Sequence, residues 1–327
     1  MRKIILITFV SLFVIGCKDN KTSKEKYLPD SSGNLNSVSV VVDNDMWSGD
    51  VGEAIRNVLA TVVDGLPQDE PMFSMSQIPP SVFSGFVTKN RTVLKVVTNK
   101  ESGVFVTNDV YAKPQKVVTV SGQTKEDLIA QINNNSEKII EAFTNSELSE
   151  KLRRIDKSLH NYTSIEEKLG LTIKFPSVYR IAKEEGKFFW IRKDITTGSM
   201  DLLLYELPYN AIKRNDSMVK QIIRIRDSVN KEMIPGPDLE PKPFMVTEKA
   251  YTPFHFETIL DNKPVLETKG IWDMQNAFMA GPFVNYAIED KVNNRWVVIE
   301  GFVFAPSVEK RDYMFEIEAI IKSVKIK

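Results

Sequence analysis

Residues 37–43 read SVSVVVD, and this short segment opens the folded body of the chain. Its closely spaced valines predict a β-strand with one or both faces buried. A helical periodicity follows over residues 51–63, and residues 64–67 read DGLP, where Gly and then Pro end the helix. We therefore expect the body to begin with a strand followed by a helix.

Predicted strands and helices continue up to residue 163. Residues 72–120 read as strands, with 99–103 as a hairpin connection between two of them. A helix is predicted from Thr124, where Asp127 stands in a capping-box position. Strands and then helices thus fill the first half of the body.

The second half repeats this order from residue 164. Strands come first, an amphipathic helix is predicted over 217–233, and more strands lead to a terminal helix over 308–322. Because strands and helices do not alternate strictly, the predicted class is α+β. We expect two tandem subdomains, 37–163 and 164–327, each a mainly antiparallel sheet packed by helices.

Upstream of the body, the chain begins MRKIILITFVSLFVIGC. The apolar run over residues 4–15 is shorter than the ~20 residues that a membrane-spanning helix needs, and it suits a signal peptide. Its end, VIGC at 14–17, resembles the lipobox that signal peptidase II reads. That resemblance implies a signal peptide over 1–16 and a lipid on Cys17. An ordinary secreted protein is the alternative, although an A-x-A-like cleavage site is absent here.

Residues 17–36 are polar and predict a flexible, lipidated tether between membrane and body. The early charges of this segment could instead be a sorting signal. The lipid would make the membrane a partner through Cys17, because each buried methylene contributes ~0.8 kcal/mol. We expect a cell-envelope location, and resemblance to Gram-negative lipoproteins suggests the outer membrane.

The balance of acidic and basic residues limits the classes of partner that the chain is expected to bind. The chain has 43 Lys and Arg and 43 Asp and Glu, and loss of Arg2 and Lys3 with the signal peptide leaves a slight acidic excess. Such a balance argues against nucleic acid as a partner and gives no polybasic membrane patch. Cys17 is the chain's one cysteine, which excludes an internal disulfide framework.

Residues that could carry chemistry are few. His160 and His255 lack a recognisable nucleophile motif around them, so a structural role is favoured for both. Asp43, Asp45 and Asp50 could hold a calcium ion, but they lack the EF-hand Gly and Glu, and capping explains them as well. We predict no catalytic residue, no metal site and no cofactor.

Two resemblances add to this interpretation. GLTIKFP at 170–176, a turn-linked pair ending in Trp190 and WVVIEGFVFAPS at 296–307 resemble the PsbP/Mog1-like α+β sandwich. That fold family implies a partner-binding or assembly module rather than an enzyme.

The whole chain also resembles a family of Bacteroidota lipoproteins described as a domain of unknown function. This resemblance rests on WSGDVG at 47–52, GLPQDEP at 65–71, KFFWIR at 187–192 and GIWDMQNAFMAGPF at 270–283. It implies no activity and no site residues.

Two of these segments are candidates for contact with a partner. Segments 65–71 and 270–283 combine Gly and Pro with large apolar groups, a composition found in rigid surface loops. The same side chains could instead close the two cores. The predicted contact residues are Leu66, Met72, Phe73, Trp272, Phe278 and Met279.

The favoured function is a non-enzymatic binding or assembly module whose partner is an envelope protein or a ligand. One alternative is an envelope hydrolase that uses carboxylates, which requires two inward-facing acids in a pocket. Another is a carrier of small ligands, which requires a large apolar cavity.

Overall fold

The computed structural model describes residues 27–327, so the predicted signal peptide and Cys17 lie outside the described residues. The N-terminal half contains five strands and four helices among its named elements. They are β1 (Ser37–Val41), α1 (Asn44–Ser48), α2 (Asp50–Leu59), β2 (Ser74–Ile78), β3 (Thr92–Thr98), β4 (Gly103–Asn108), β5 (Lys116–Gly122), α3 (Lys125–Asn134) and α4 (Ser136–Ile155).

The opening strand lies inside its sheet, as its valines predict. The order is β2-β1-β3-β5-β4, and Val38, Val40 and Val42 are fully buried against α2, α3 and α4. The β1–β2, β1–β3 and β3–β5 pairs are parallel, whereas β4–β5 is antiparallel. This sheet therefore differs from the mainly antiparallel one expected here, because helical or long connections return the chain to the same end of the sheet.

The predicted hairpin at residues 99–103 is wrong. The strands on either side of it, β3 and β4, are separated in the sheet by β5, which pairs with both. A turn sequence between two strands indicates a change of direction, but it does not show which strands become neighbours. The predicted cap of α3 is confirmed, since Thr124 Oγ1 accepts from the backbone N–H of Asp127 at 3.2 Å.

The predicted tether, residues 17–36, extends too far into the body. Its end is fastened to the segments that precede β3 and β5, because Ser31 and Ser32 donate backbone hydrogen bonds to the carbonyls of Lys113 and Lys89. Asn36 is buried and its backbone N–H donates to Glu147 at 2.9 Å. Polar composition did not reveal this, because the segment is held by backbone hydrogen bonds rather than by apolar side chains.

The C-terminal half begins with a short helix and is dominated by strands. Its elements are α5 (Ser164–Leu169), β6 (Leu171–Thr172), β7 (Arg180–Glu185), β8 (Phe188–Ile195), β9 (Gly198–Pro208), α6 (Met218–Met233), β10 (Phe244–Thr247), β11 (Phe254–Leu260), β12 (Lys263–Gln275), β13 (Ala280–Asp290), β14 (Arg295–Phe304), α7 (Arg311–Lys322) and β15 (Lys325–Ile326).

The large C-terminal sheet is antiparallel and both of its faces are covered. Its order is β10-β12-β13-β14-β9-β8-β7, and β11 also pairs with β12. Side chains alternate along β9, so Leu202 and Leu204 pack with α7, whereas Leu203 and Tyr205 pack with the core that includes α6. The sheet is thus a central layer between two helices. The predicted α+β class is confirmed.

Helix α7 approaches the sheet closely at one glycine. A Cβ atom built on Gly301 of β14 would lie 2.1 Å from Cγ2 of Ile317. Because real Cβ atoms do not approach other atoms so closely, only glycine fits here without a shift of the helix. Gly301 therefore sets the distance between α7 and the sheet.

The two halves are joined by a charged contact at the start of α7. Glu70, which is buried, accepts from the backbone N–H groups of Lys310 at 2.8 Å and Arg311 at 2.7 Å. The Arg311 guanidinium donates in return to the carbonyl of Pro71 at 2.9 Å. A carboxylate at a helix N-terminus is stabilised by the unpaired amides and the helix dipole. A loop of the N-terminal half thus caps the last long helix of the C-terminal half.

Candidate functional site

One polar feature of the C-terminal half is an acid buried in the middle of its sheet. Asp201 lies on β9, directly opposite Arg192 of β8, and its side chain has no exposed surface. Its Oδ1 accepts from Trp190 Nε1 at 2.8 Å and its Oδ2 accepts from Ser199 Oγ at 2.6 Å. Period-two alternation places Trp190 and Arg192 on the same face as Asp201.

The nearest cation to this acid is shared with a second carboxylate. The nearest guanidinium nitrogen of Arg192 is 3.9 Å from Asp201, while Nε of the same arginine bonds the exposed Asp194 at 2.8 Å. Burial raises the pKa of Asp201 to about 6, although the donors Ser199 and Trp190 and the charge of Arg192 act in the opposite direction. Asp194 also pairs with Arg180 at 3.3 Å, so two guanidinium groups balance the two carboxylates of this cluster.

Asp201 lies at the wall of a cavity of about 270 Å³, here called the inner cavity. The apolar part of its lining is aromatic and sulfur-rich. Its aromatic and sulfur-containing members are Trp190, Met245, Trp272, Met274, Met279, Phe302 and Phe304. Among the described residues that line it, Asp201 is the only carboxylate and Arg192 the only cation. A small apolar cavity with convergent polar groups is the usual form of a ligand site.

Gly281 makes room for the largest ring in this wall. The indole of Trp272 lies across it, and Trp272 Nε1 donates to the carbonyl of Val303 at 3.2 Å. A Cβ on Gly281 would lie 2.0 Å from that carbonyl oxygen. The segment around Gly281 is therefore built for close packing of β13 against its neighbours.

A second cavity, of about 590 Å³, adjoins the first and is called the outer cavity. Both are bounded by Trp190 and by residues 234–236, where the chain leaves α6. The outer cavity is lined by three lysines, Lys183, Lys231 and Lys242, and one acid, Glu232. We refer to the two cavities together as the Asp201 groove.

These lysines differ in how far they are neutralised. Lys183 Nζ lies 3.1 Å from Glu185, whereas no carboxylate among residues 27–327 pairs with Lys231 or Lys242. Lys231 Nζ instead lies 4.3 Å from the centroid of the Phe244 ring, a cation–π contact. The outer cavity is therefore positive, whereas the inner cavity is lined by one cation and one carboxylate.

The predicted contact residues do not form one surface. Trp272 and Phe73 are both 1% exposed, so the expectation that they meet a partner is wrong. Their rings fill the two cores, as the alternative held. Phe278 is the opposite case, since it is fully exposed at the turn between β12 and β13.

The remaining predicted contact residues are used within the chain. Leu66 is partly buried and packs on the core of the C-terminal half, and Met279 lines the inner cavity. Met72 lines a groove of about 450 Å³ at the junction of the halves, beside Phe315. Segments 65–71 and 270–283 do meet, because Gly65 lies against the backbone of Lys269 and Gly270.

The two histidines are held by packing. His160 stacks on Phe175 at 5.0 Å between ring centroids, and Nδ1 of His255 lies 3.2 Å from Thr268 Oγ1. Burial lowers the pKa of His255. Across residues 27–327, no group of three or more His, Cys, Asp or Glu side chains is arranged to hold a metal ion. Within the same residues, no helix is long and apolar enough to cross a membrane.

Family comparison divides the chain where its sheets divide. The family model described as domain of unknown function DUF4837 matches residues 158–323, which is half of the chain. The chain belongs to the DUF4837 family. The DUF4837 match contains the large sheet, α7 and every residue of the Asp201 groove. A second domain of unknown function, DUF8532, matches residues 31–156 and contains the five-stranded sheet. A search of curated proteins finds no match.

Proposed function

We propose that this protein is a lipid-anchored component of the cell envelope whose body is a non-enzymatic binding module. The Asp201 groove is the binding site in this proposal. The observation that carries it is the inner cavity, in which a buried carboxylate faces a space bounded by aromatic rings and methionines.

The same cavity argues against the hydrolase alternative. Glycosidic cleavage uses two carboxylates on opposite sides of the scissile bond. Asp201 stands alone among the described residues that line the inner cavity, and Glu232 lies on the exposed rim of the outer one. The carrier alternative requires a large apolar cavity, whereas the apolar inner cavity has about 270 Å³, near the lower limit for a small-molecule pocket, and the larger outer cavity is lined by lysines.

The anchor in this proposal is the lipid on Cys17, in the outer membrane of a Bacteroidota bacterium. Its support is the short apolar run over residues 4–15 and the VIGC sequence. Replacing Cys17 with Ser should move the protein from the membrane fraction to the soluble fraction and abolish incorporation of labelled lipid. Retention of membrane binding and label by Cys17→Ser would show that the anchor is elsewhere.

We also propose that the C-terminal half shares the PsbP/Mog1-like architecture. The support is an antiparallel sheet between helices, closed by β14 and α7 as the segment 296–307 suggests. Superposition of an experimental structure on members of that fold is the test. A different strand order in the superposed sheets would reject this likeness without touching the binding proposal.

Binding in the groove can be tested without knowing the ligand. A photo-reactive amino acid is introduced at Lys242, on the rim of the outer cavity, and the cells are irradiated. We expect an adduct at this position that is absent when the same group replaces Lys220, an exposed lysine of α6 outside the groove. Equal labelling at Lys242 and Lys220, or none at either, would refute a binding site in the groove.

A further inference from the structure

The two edges of the large sheet differ in how they are protected from other strands. At one edge, β7 has four charged side chains, which are Arg180, Lys183, Glu184 and Glu185. Its pairing with β8 is also interrupted by a β-bulge between Ile181 and Lys183. Charged side chains and bulges are the usual means by which an edge strand avoids pairing with another chain. The β7 edge is therefore protected.

At the other edge, β11 lacks this protection. It pairs with β12 on one side, and its backbone makes no further backbone hydrogen bond among residues 27–327. Three of its exposed side chains are apolar, since Phe254 is 46% exposed, Phe256 41% and Ile259 74%. A seven-residue edge with such side chains is a template for the addition of another strand.

The register with β12 assigns the side chains of β11 to the two faces of the sheet. Phe254, Phe256 and Thr258 lie on the face packed by α7, whereas His255 and Glu257 lie on the face packed by α6. If a second copy pairs antiparallel about a two-fold axis perpendicular to the sheet, directly opposed residues must point to the same face. The axis must then pass through a residue of β11 and not between two residues.

The chemistry of the opposed side chains disfavours most positions of this axis. An axis at Glu257 places two carboxylates directly opposite each other, which destabilises a strand pair. The ion pair of each Glu257 with its own Arg214 is solvent-exposed and weakens this repulsion without removing it. An axis at Thr258 places Glu257 opposite the aliphatic Ile259. Axes nearer either end of the strand pair three residues of β11 or fewer.

An axis at Phe256 pairs five residues of each copy and matches their chemistry. Phe256 then lies opposite Phe256 of the second copy, an aromatic pair on the face packed by α7. On the other face, Glu257 lies opposite His255, so its carboxylate meets an imidazole instead of a second carboxylate. Phe254 lies opposite Thr258, and both residue types are favoured in strands. Because the contact is isologous, the last two pairs each occur twice.

The protected edge limits the assembly to two copies. Pairing through β11 uses this edge in both copies, so both outer edges of the joined sheet are β7. A bulged and charged edge does not accept a further strand. The sheet therefore closes as a pair and does not extend into a fibre.

We propose that β11 is a dimerisation edge, through which two copies of this chain pair antiparallel about an axis at Phe256. This edge shares no residue with the Asp201 groove. The proposal is therefore independent of the proposed binding function, and either can fail without the other.

Cysteine crosslinking tests the pairing. Each variant is made in the full chain with Cys17→Ser, so that the introduced cysteine is the single thiol, and the protein is purified in detergent and oxidised mildly. Directly opposed residues of an antiparallel pair have Cα atoms about 4.5–5.5 Å apart, a distance that a disulfide spans. Phe256→Cys should form a disulfide-linked dimer ~tenfold faster than Phe278→Cys, because paired strands hold the two thiols at a high effective concentration. Phe278 is the control because it is fully exposed outside β11.

A mixing experiment tests the register. Phe254→Cys and Thr258→Cys should each remain monomeric when oxidised alone, because each residue is displaced by four positions from its own copy, about 13 Å along the strands. Mixed in equal amounts, the two variants should form a disulfide-linked dimer that contains one chain of each. A tag on one variant identifies the mixed dimer by its mass, and circular dichroism verifies that every variant is folded before oxidation.

Equal rates for Phe256→Cys and Phe278→Cys would overturn the proposal, because random collision would then explain both dimers. Self-crosslinking of Thr258→Cys would also overturn it, since the strands would pair about another axis. So would the absence of the mixed dimer of Phe254→Cys with Thr258→Cys. Fast dimerisation of Phe256→Cys together with the mixed dimer would support both the second copy and the register.

Discussion

Replacing Asp201 with Asn should stabilise the protein at neutral pH. The substitution keeps the size of the side chain and one acceptor oxygen for Trp190 or Ser199, but it removes the charge. In the wild type, this charge is buried and its nearest cation is 3.9 Å away. Such a group is more easily ionised in the unfolded chain than in the folded one, so its ionisation opposes folding.

The magnitude follows from the pKa. The pKa of Asp201 is about 6 in the fold against an ordinary value of 3.8. This difference corresponds to about 3 kcal/mol in the free energy of unfolding. The cost is fully present above pH 6 and disappears as the pH falls from 6 towards 3.8, because the folded state then binds the proton more readily than the unfolded state does.

Urea unfolding between pH 4 and pH 8 measures this effect through tryptophan fluorescence. Trp190, Trp272 and Trp296 all belong to the C-terminal half, so the signal reports mainly on that half. We expect the free-energy difference between Asp201→Asn and wild type to grow by about 2.5 kcal/mol in favour of the variant from pH 4 to pH 7.5, because a small part of the cost is already present at pH 4. Other titrating groups cancel in this difference.

Asp290→Asn is the control of opposite sign. Asp290 is also buried, but hydrogen bonds from Asn293, Arg295 and Lys263 outweigh its burial and lower its pKa. Its removal should destabilise the protein above pH 4, and the loss should shrink as the pH falls further. A difference between wild type and Asp201→Asn that stays constant from pH 4 to pH 8 would refute the reasoning about Asp201.

Three further substitutions test the packing. Glu70→Gln should lower the free energy of unfolding by ~1–3 kcal/mol in urea titrations, because the buried amides at the start of α7 lose a charged acceptor. Asp69→Asn, at an exposed neighbour, should change this free energy little. Gly301→Ala should cost ~1–3 kcal/mol by the same assay, since its methyl overlaps α7, and unchanged stability would disprove the close approach. Trp272→Ala should lower the thermal midpoint by an amount that corresponds to ~3–5 kcal/mol, whereas Phe278→Ala should leave the midpoint unchanged, and equal effects would contradict their burial.

Local elements were predictable because their signals are local. The valines of residues 37–43 identified a buried strand, and Thr124 with Asp127 identified the start of a helix. Which strands pair with each other in the sheet was not predictable in this way. Whether β3 pairs with β4 or with β5 depends on contacts across the whole half, and a turn sequence contains no such information.

The candidate site was missed for a similar reason. In the sequence, an acid just before an apolar run looks like the exposed end of a strand. β9 begins at Gly198, however, which places Asp201 among buried residues. An acid within an apolar strand that is covered on both faces was the signal that could have indicated the site. Trp190 and Arg192, which contact Asp201, belong to β8, and the register between β8 and β9 places them beside it.

Segment 270–283 shows the limit of composition as a guide. Gly and Pro suggested an irregular surface loop, yet most of the segment is paired strand in β12 and β13. Gly281 serves close packing around Trp272 rather than a turn. The same residue type can therefore mark a bend or an intimate contact, and only the neighbouring strands distinguish the two.

The cap that Glu70 places on α7 has a consequence for how the chain is made. The carboxylate is synthesised 240 residues before the first amide that it accepts from. The chain emerges N-terminus first, so the loop with this acceptor is available before the helix that it caps. α7 is the last long helix to emerge, and its docking onto Glu70 fastens the end of the chain to its first half.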